Sequence, residues 1–377
     1  MRMIKPFGSL FRKALLFILL KDERSGSFVG SMDTLGAFRR MYARVAADGR
    51  AETLFGEGTL EKAVQGLEKY AIKGASKAIF WFEFPFIGEP RMDLLVGYKC
   101  NDLHPPVSFV AESNPLYQQF FDACAQNEAF SEYTYGFSLD LSSAPSATDA
   151  PGIIYLLPPL EQPTEDYVPA LLKNLGGEER IPQVMAAFAS APPLWHPHYV
   201  GYMAGRSGSP TRLGFSIMKK DCLYYSDHQE EFLRHVEEYM GFEFTAEGRE
   251  LLCYLAEGGW IYDLQFNLFP DGTISDNLGV ALAFGSREVD PRNAAGFLEQ
   301  GDAGEKLRHL ESLGLADSRW RQMDRACYGV QCIVKSEGKR HLVGDVVQMD
   351  GIKVRFKKGK AYLSKGYLLA RSSYLDD

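Results

Sequence analysis

The chain has 377 residues, of which 46% are hydrophobic, 24% charged and 13% aromatic. This composition is ordinary for a folded globular protein and excludes the disordered and collagen-like classes. The 41 Lys and Arg against 49 Asp and Glu give a formal charge of −8. A nucleic acid is therefore not expected as the main partner, because binding its backbone needs an excess of positive charge. Any positively charged site must therefore be confined to a small group of residues.

Cysteine usage and hydropathy narrow the class further. The six cysteines contain no C-x-x-C pair, so neither a zinc site nor a disulfide framework is predicted, and a cytoplasmic location fits best. No membrane span is expected, because no stretch reaches the roughly 18 apolar residues that it needs. Residues 1–32 are predicted to be a leader or docking helix, since their short apolar run follows basic residues but has no cleavage pattern.

Helical periodicity alternates with pairs of strands along the rest of the chain. Four helix–strand–strand units are predicted: 35–45 and 60–72 with strands 79–84 and 92–98; 115–125 with 133–141 and 153–157; 182–189 with 198–204 and 212–218; and 229–240 and 247–257 with 260–268 and 274–284. A fifth unit begins with a helix at 294–313 and continues with four candidate strands at 328–334, 342–347, 352–356 and 363–370. The sequence does not show which two of these complete the last unit.

Recurring hairpins separated by helices indicate consecutive antiparallel strands of one sheet, with the helices on one face. About ten such strands tend to curl and close. The strands alternate strictly: Phe80, Phe82 and Phe84 share one face, while Trp81 and Glu83 share the other. If helices cover the apolar faces, the polar faces line a barrel lumen. The alternative is a sandwich or open sheet whose polar faces meet water.

This pattern, together with residues 352–359 (IKVRFKKG) and 364–368 (SKGYL), resembles the soluble aromatic prenyltransferases of the ABBA, or PT-barrel, family. The resemblance covers about residues 33–371. It implies an α/β (α+β) fold: a ten-stranded antiparallel β-barrel of repeated α-β-β-α units, with the helices outside and a polar, aromatic lumen. On this basis residues 33–377 are expected to form one barrel domain.

The resemblance also implies a reaction. Family members transfer a prenyl group from an allylic isoprenoid diphosphate to an electron-rich aromatic acceptor. The acceptor expected here is an indole or phenol, such as Trp or Tyr, either free or within a peptide. A second possibility is a non-catalytic barrel that binds a hydrophobic ligand or peptide, and a third is a different enzyme on an open α+β sheet.

Ionising an allylic diphosphate requires positive charge around the departing pyrophosphate. Five basic residues on predicted inward faces can supply it: Arg91, Arg212, Lys353, Arg355 and Lys365. The resemblance implies that the last three form the diphosphate clamp. The alternative is that all five are solvated or ion-paired surface cations.

Aromatic faces stabilise a carbocation without offering a nucleophile, and Trp81, Tyr202 and Tyr367 are the candidates for this shielding. Glu83 is the candidate catalytic residue, because a buried carboxylate can accept a hydrogen bond from an indole N–H or a phenol and help remove a proton. The resemblance implies this role through the Phe-Glu-Phe context of Glu83. The alternative is an ion pair with Arg91, and Asp93 is a weaker candidate.

No metal site is predicted. The chain has no Asp-Asp-x-x-Asp motif, which disfavours the helical prenyltransferases and terpene synthases that bind Mg²⁺ through such carboxylates. No phosphate-binding glycine loop or nucleophile elbow is present either. The expected cofactor requirement is therefore none, with Mg²⁺ possible, because PT-barrel members differ in their use of it.

Overall fold

The computed structural model describes residues 26–29, 33–70, 78–99, 119–120, 122–123, 130, 132–141, 151–160, 162–203, 206, 208–283, 289–336 and 338–374. Most of the predicted leader, residues 1–32, lies outside the described residues, and so does most of the predicted helix 115–125.

All the strands in the described part of the chain belong to one sheet. They are β1 (Gly26–Val29), β2 (Ala78–Pro85), β3 (Asp93–Lys99), β4 (Thr134–Leu139), β5 (Ile153–Leu157), β6 (His196–Tyr202), β7 (Thr211–Ser216), β8 (Ile261–Leu268), β9 (Asn277–Leu282), β10 (Tyr328–Ser336), β11 (Lys339–Lys357) and β12 (Lys360–Tyr374).

The sheet closes through β11. Its C-terminal half pairs antiparallel with β9, from Ile352 opposite Leu282 to Lys357 opposite Asn277, while its other edge pairs with β12. The ring therefore runs β11-β12-β2-β3-β4-β5-β6-β7-β8-β9 and back to β11. The expected closed antiparallel barrel of ten strands, accompanied by helices, is confirmed. Strands β10 and β1 extend the sheet outside the ring, along the N-terminal half of β11.

The helices precede or follow the hairpins. The described α-helices are α1 (Thr34–Val45), α2 (Arg50–Leu54), α3 (Thr59–Tyr70), α4 (Thr164–Asn174), α5 (Ile181–Ala189), α6 (Lys219–Asp227), α7 (Gln229–Met240), α8 (Ala246–Ala256), α9 (Gly301–Ser312) and α10 (Trp320–Met323). Helix α1 begins at Asp33, whose carboxylate accepts a hydrogen bond from the Gly36 amide at 2.9 Å. Helix α7 ends at Gly241, which adopts φ 73°.

The main hydrophobic core lies between the helices and the outer face of the barrel. On β2, Phe80 and Phe82 are fully buried, and their rings lie 5.7 and 6.0 Å from the ring of Phe38 on α1. Successive strand residues point to opposite faces. The intervening residues Trp81 and Glu83 therefore point into the barrel, as the alternation in the sequence predicted.

A buried ion pair joins α1 to the part of β11 that pairs with β10 outside the ring. The carboxylate of Asp345 on β11 is fully buried and lies 3.1 Å from Nε of Arg40 on α1. The Ser372 hydroxyl on β12 donates to the same carboxylate at 2.7 Å. A charge in the protein interior is tolerated when it is paired and hydrogen-bonded in this way. The cluster therefore fixes α1 against the end of the β11–β12 ribbon.

Replacing one partner of this pair should be strongly destabilising. Asp345→Ala leaves Arg40 buried without its carboxylate, and we expect a loss of about 3–5 kcal/mol in the free energy of unfolding, measured in urea. The control is Glu238→Ala, which breaks the exposed pair with Arg234 on α7 and should cost no more than about 0.5 kcal/mol. Equal losses in the two variants would contradict this assignment.

Candidate active site

Polar side chains from opposite walls meet inside the barrel. Glu83 lies on β2 and Arg212 on β7, five strands apart in either direction around the ring. The charge of Glu83 nevertheless raises the pKa of Arg212, although burial has the larger, opposite effect. The two side chains can interact only through the lumen. The open-sheet arrangement considered above is therefore wrong.

Glu83 is held by two neighbours on β12. Lys365 Nζ donates to its carboxylate, and the Tyr367 hydroxyl also hydrogen-bonds to it. Lys365 Nζ lies 3.8 Å from a carboxylate oxygen of Asp93, the residue opposite Glu83 on β3. Burial alone would raise the pKa of Glu83, but the charges of Lys365 and Lys353 and these hydrogen bonds hold it far below its usual range. Glu83 is therefore ionised at any physiological pH.

Three further cations lie beside this pair. Lys353 Nζ is 4.9 Å from the centre of the Tyr367 ring, a cation–π distance. Arg355 Nη1 donates to the side-chain carbonyl of Gln265 at 3.1 Å, and Arg212 Nε donates to that of Asn267 at 3.3 Å. Within the described part of the chain, Arg212, Lys353 and Arg355 form no ion pair within 4.0 Å.

A glycine on β9 makes room for two of these cations. A Cβ at Gly279 would lie 3.2 Å from Lys353 Cδ and 3.3 Å from Arg355 Nη1. These separations are tighter than ordinary contacts between side chains. The inward face of β9 thus leaves space in which two basic side chains of β11 lie next to each other.

The cations also shift one another's pKa values. Burial, then repulsion from Arg206 and Arg355, lowers the pKa of Arg212 to about 10. Burial lowers the pKa of Lys353 to about 8, with Arg355 and Arg212 contributing, against the attraction of Asp263 and Glu83. When neighbouring groups disfavour the charged form of a cation, a bound anion stabilises that charged form. The site is therefore suited to an anionic ligand.

Two residues predicted for the site lie elsewhere. Arg91 is exposed, because β3 begins only at Asp93. Tyr202 packs against the helix-covered core, and the guanidinium of Arg180 lies 5.1 Å from its ring centre. A β-bulge between Pro197 and Tyr199 shifts the alternation of β6. The side-chain direction assumed for Tyr202 was therefore wrong.

The same bulge brings an unpredicted residue into the lumen. The Tyr199 ring occupies the space opposite Gly214, where a Cβ would lie only 1.9 Å from a ring carbon. Its hydroxyl accepts a hydrogen bond from Gln265 Nε2, so Tyr199, Gln265 and Arg355 form a connected chain. Strict alternation in the sequence offered no signal for Tyr199. Gln265 was visible only as a member of a polar strand face.

The described residues contain no group of three or more His, Cys, Asp and Glu side chains placed to hold a metal ion. No helix among them has both the length and the apolar character needed to cross a bilayer. Comparison of the sequence with known protein families gave no match, and comparison with curated proteins gave no significant match.

The lowered pKa of Lys353 makes the stability of the folded protein depend on pH. The folded protein disfavours the ammonium form, so folding is penalised below about pH 8, and the penalty fades toward pH 10.5, the ordinary value for lysine. Lys353→Met should therefore raise the unfolding midpoint at pH 7 by about 3 °C or more, and by less at pH 10.

The matched control is Lys357→Met, four residues along the same strand and exposed. Its unfolding midpoint should stay within about 1 °C of the wild-type value. A fall in midpoint for Lys353→Met at pH 7 would show that the buried ammonium stabilises the fold.

Proposed function

We propose that this protein is an aromatic prenyltransferase of the PT-barrel type, which transfers an allylic group from an isoprenoid diphosphate to an electron-rich aromatic acceptor. The observation that carries the proposal is the convergence of Arg212, Lys353 and Arg355 inside a closed barrel without ion-pair partners among the described residues. The position of helices before successive hairpins, such as α4 and α5 before β6–β7, supports the same family arrangement.

The proposed first step is ionisation of the donor. The carbon–oxygen bond of the allylic diphosphate breaks, and its electron pair leaves with the pyrophosphate. Arg212, Lys353 and Arg355 would stabilise the charge that develops on the leaving oxygens, and such contacts are strongest where water is excluded. A carrier of hydrophobic ligands has no need for buried cations that converge in this way, so the diphosphate proposal is favoured over that alternative.

The proposed second step is attack by an aromatic carbon of the acceptor. A carbon–carbon bond forms to the allyl cation, and the aromatic system then restores its conjugation by losing a proton, which the pyrophosphate released in the first step takes up. Tyr367 and Trp81 both lie on the lumen face and would shield the cation from water through their ring faces. The cation–π contact of Tyr367 with Lys353 shows that this ring already faces positive charge.

Glu83 is assigned to the acceptor. Its low pKa makes it a weak base but keeps it ionised, so its negative charge would accept a hydrogen bond from an indole N–H or phenol O–H, orient that group and increase the electron density of the ring. Lys365 would hold the Glu83 carboxylate in place and neutralise part of its charge. The proposed role of Glu83 is therefore to orient and activate the acceptor.

Donor binding can be measured without knowing the acceptor. We expect dimethylallyl thiodiphosphate, which resists ionisation, to bind with micromolar affinity in calorimetry at pH 7. Arg355→Gln should weaken binding about 10- to 100-fold, because it removes a charge-assisted contact. Wild-type affinity should fall as the pH rises through about 8, where Lys353 loses its proton.

The control for this measurement is Arg91→Gln, which changes an exposed arginine and should alter affinity less than about twofold. Titrations with and without Mg²⁺ would show whether the metal contributes. Absence of binding in both conditions, or an equal loss in both variants, would rule out the clamp.

Glu83→Gln should impair the reaction with the acceptor without weakening the binding of the donor. Transfer to a panel of indoles and phenols should fall about 100-fold or more, while pyrophosphate affinity should be unchanged or higher, because a negative charge has been removed. Asp93→Asn is the matched control, since Asp93 also lies near Lys365 and should retain transfer. Full activity in Glu83→Gln would show that Glu83 does not act on the acceptor.

A further inference from the structure

A second carboxylate faces the lumen cations, and the proposed mechanism gives it no role. Asp263 on β8 is 7% exposed. The alternate residues Leu264 and Phe266 belong to the helix-covered core, so Asp263 and Gln265 point into the barrel. Burial first, and then the charge of Asp263, raise the pKa of the Tyr199 hydroxyl. Asp263 therefore lies in the same enclosed space as the proposed diphosphate site.

The strand register places Asp263 and Lys353 on either side of one small residue. Ala281 on β9 pairs with Asp263 on β8 and with Lys353 on β11. Its neighbours Val280 and Leu282 belong to the helix-covered core, and Ala281 does not. Asp263, Ala281 and Lys353 therefore all point into the lumen, and the side chain between the two charged groups is a methyl group.

The next inward row of the same three strands shows that a side chain of β11 can reach across β9. Gln265, Gly279 and Arg355 pair in the same order, and Arg355 Nη1 donates to the Gln265 side-chain carbonyl at 3.1 Å. Lys353 leans toward the same wall, because its Cδ would lie 3.2 Å from a Cβ at Gly279. The stem of Lys353 therefore runs along β9, on the side of the lumen where Asp263 lies.

The charged and titratable groups of the described chain that face Lys353 come from five strands: Glu83 on β2, Arg212 on β7, Asp263 on β8, Arg355 on β11, and Lys365 and Tyr367 on β12. Burial has the largest effect on the pKa of Lys353 and lowers it, while the charge of Asp263 has the next largest effect and raises it. Glu83 contributes less, and its carboxylate already accepts hydrogen bonds from Lys365 and Tyr367. Asp263 is therefore the principal countercharge of Lys353 before a donor binds.

This countercharge leaves the Lys353 ammonium accessible to an anion. Among the described residues, Lys353 forms no ion pair within 4.0 Å, so Asp263 attracts it without binding it directly. A carboxylate in contact with the ammonium would compete with a diphosphate for the same hydrogens. A more distant carboxylate favours the protonated form and leaves those hydrogens to the ligand.

We propose that Asp263 is a positioning residue of the diphosphate site, which keeps Lys353 protonated until the diphosphate binds and so sets the upper pH limit of donor binding. The inference rests on the proposed diphosphate clamp. Asp263 acts through Lys353 and does not touch the donor. Without its charge, Lys353 would lose its proton at lower pH, and the clamp would then hold one positive charge fewer.

The test measures the binding of inorganic pyrophosphate by calorimetry from pH 7 to pH 9.5, in the wild type and in Asp263→Asn. The range begins above the ordinary pKa of histidine, because His198 Nδ1 lies 2.7 Å from Oγ of Ser216, the β7 partner of Asp263. The ionisation of pyrophosphate itself cancels when the two proteins are compared at the same pH. The affinity of the variant relative to the wild type should fall about fivefold across the range, if the titration of Lys353 moves down by about one pH unit from about 8.

Two controls isolate the pair of Asp263 and Lys353. Asp271→Asn removes a carboxylate from the exposed β8–β9 turn, and its affinity relative to the wild type should be the same at every pH. In a Lys353→Met background, adding Asp263→Asn should change the affinity by one constant factor, because the titrating lysine is absent. Asp263→Ser removes the same charge and serves as the test if Asp263→Asn does not fold.

The outcomes separate this inference from the proposed clamp. A relative affinity that does not change with pH in folded Asp263→Asn or Asp263→Ser would overturn the role of Asp263, and so would an equal pH-dependent loss in the Lys353→Met background. In either case pyrophosphate binding by the wild type would still support the clamp. Failure of the wild type to bind pyrophosphate would overturn the clamp and, with it, this inference.

Discussion

Closure of the sheet by β11 is the constraint on which the rest of the structure depends. This strand has 19 residues, and its C-terminal half is hydrogen-bonded to β12 on one edge and to β9 on the other. Without the β9 pairing the polar faces would meet bulk water, where scattered Lys and Arg side chains have little effect on one another. With it, Glu83 and Arg212 interact across an enclosed space.

Enclosure creates a conflict between stability and binding. Buried cations disfavour folding, as the lowered pKa values of Lys353 and Arg212 indicate, and the same unneutralised charge attracts an anion. The aromatic core outside the barrel offsets this cost. Functional sites commonly keep such locally unfavourable groups because ligand binding depends on them.

The sequence predicted the parts of the fold that follow from strict alternation. The faces of Phe80, Phe82 and Phe84 were predicted correctly, and so was the inward direction of Glu83. Helices α4 and α6 were not predicted. β11 was expected as two strands, 342–347 and 352–356, whereas the structure has one strand with a register shift between Met349 and Gly351 that keeps the ladder intact.

The errors at the site have one physical origin. Side-chain direction depends on where a strand begins and on whether a bulge intervenes, and a single sequence reveals neither. Arg91 was placed on a strand that starts two residues later, and Tyr202 follows the bulge in β6. The same bulge concealed Tyr199. By contrast, Lys353, Arg355 and Lys365 lie on regular pairs of the β11–β12 ladder, so alternation indicated their direction.

Diffraction from crystals soaked in dimethylallyl thiodiphosphate would show whether the lumen cations hold a diphosphate. We expect diphosphate density inside the barrel, with oxygens within about 3.2 Å of the side-chain nitrogens of Arg212, Lys353 and Arg355. Density confined to the exposed lysines of the β11–β12 turn, or a lumen without ligand at saturating concentration, would contradict it.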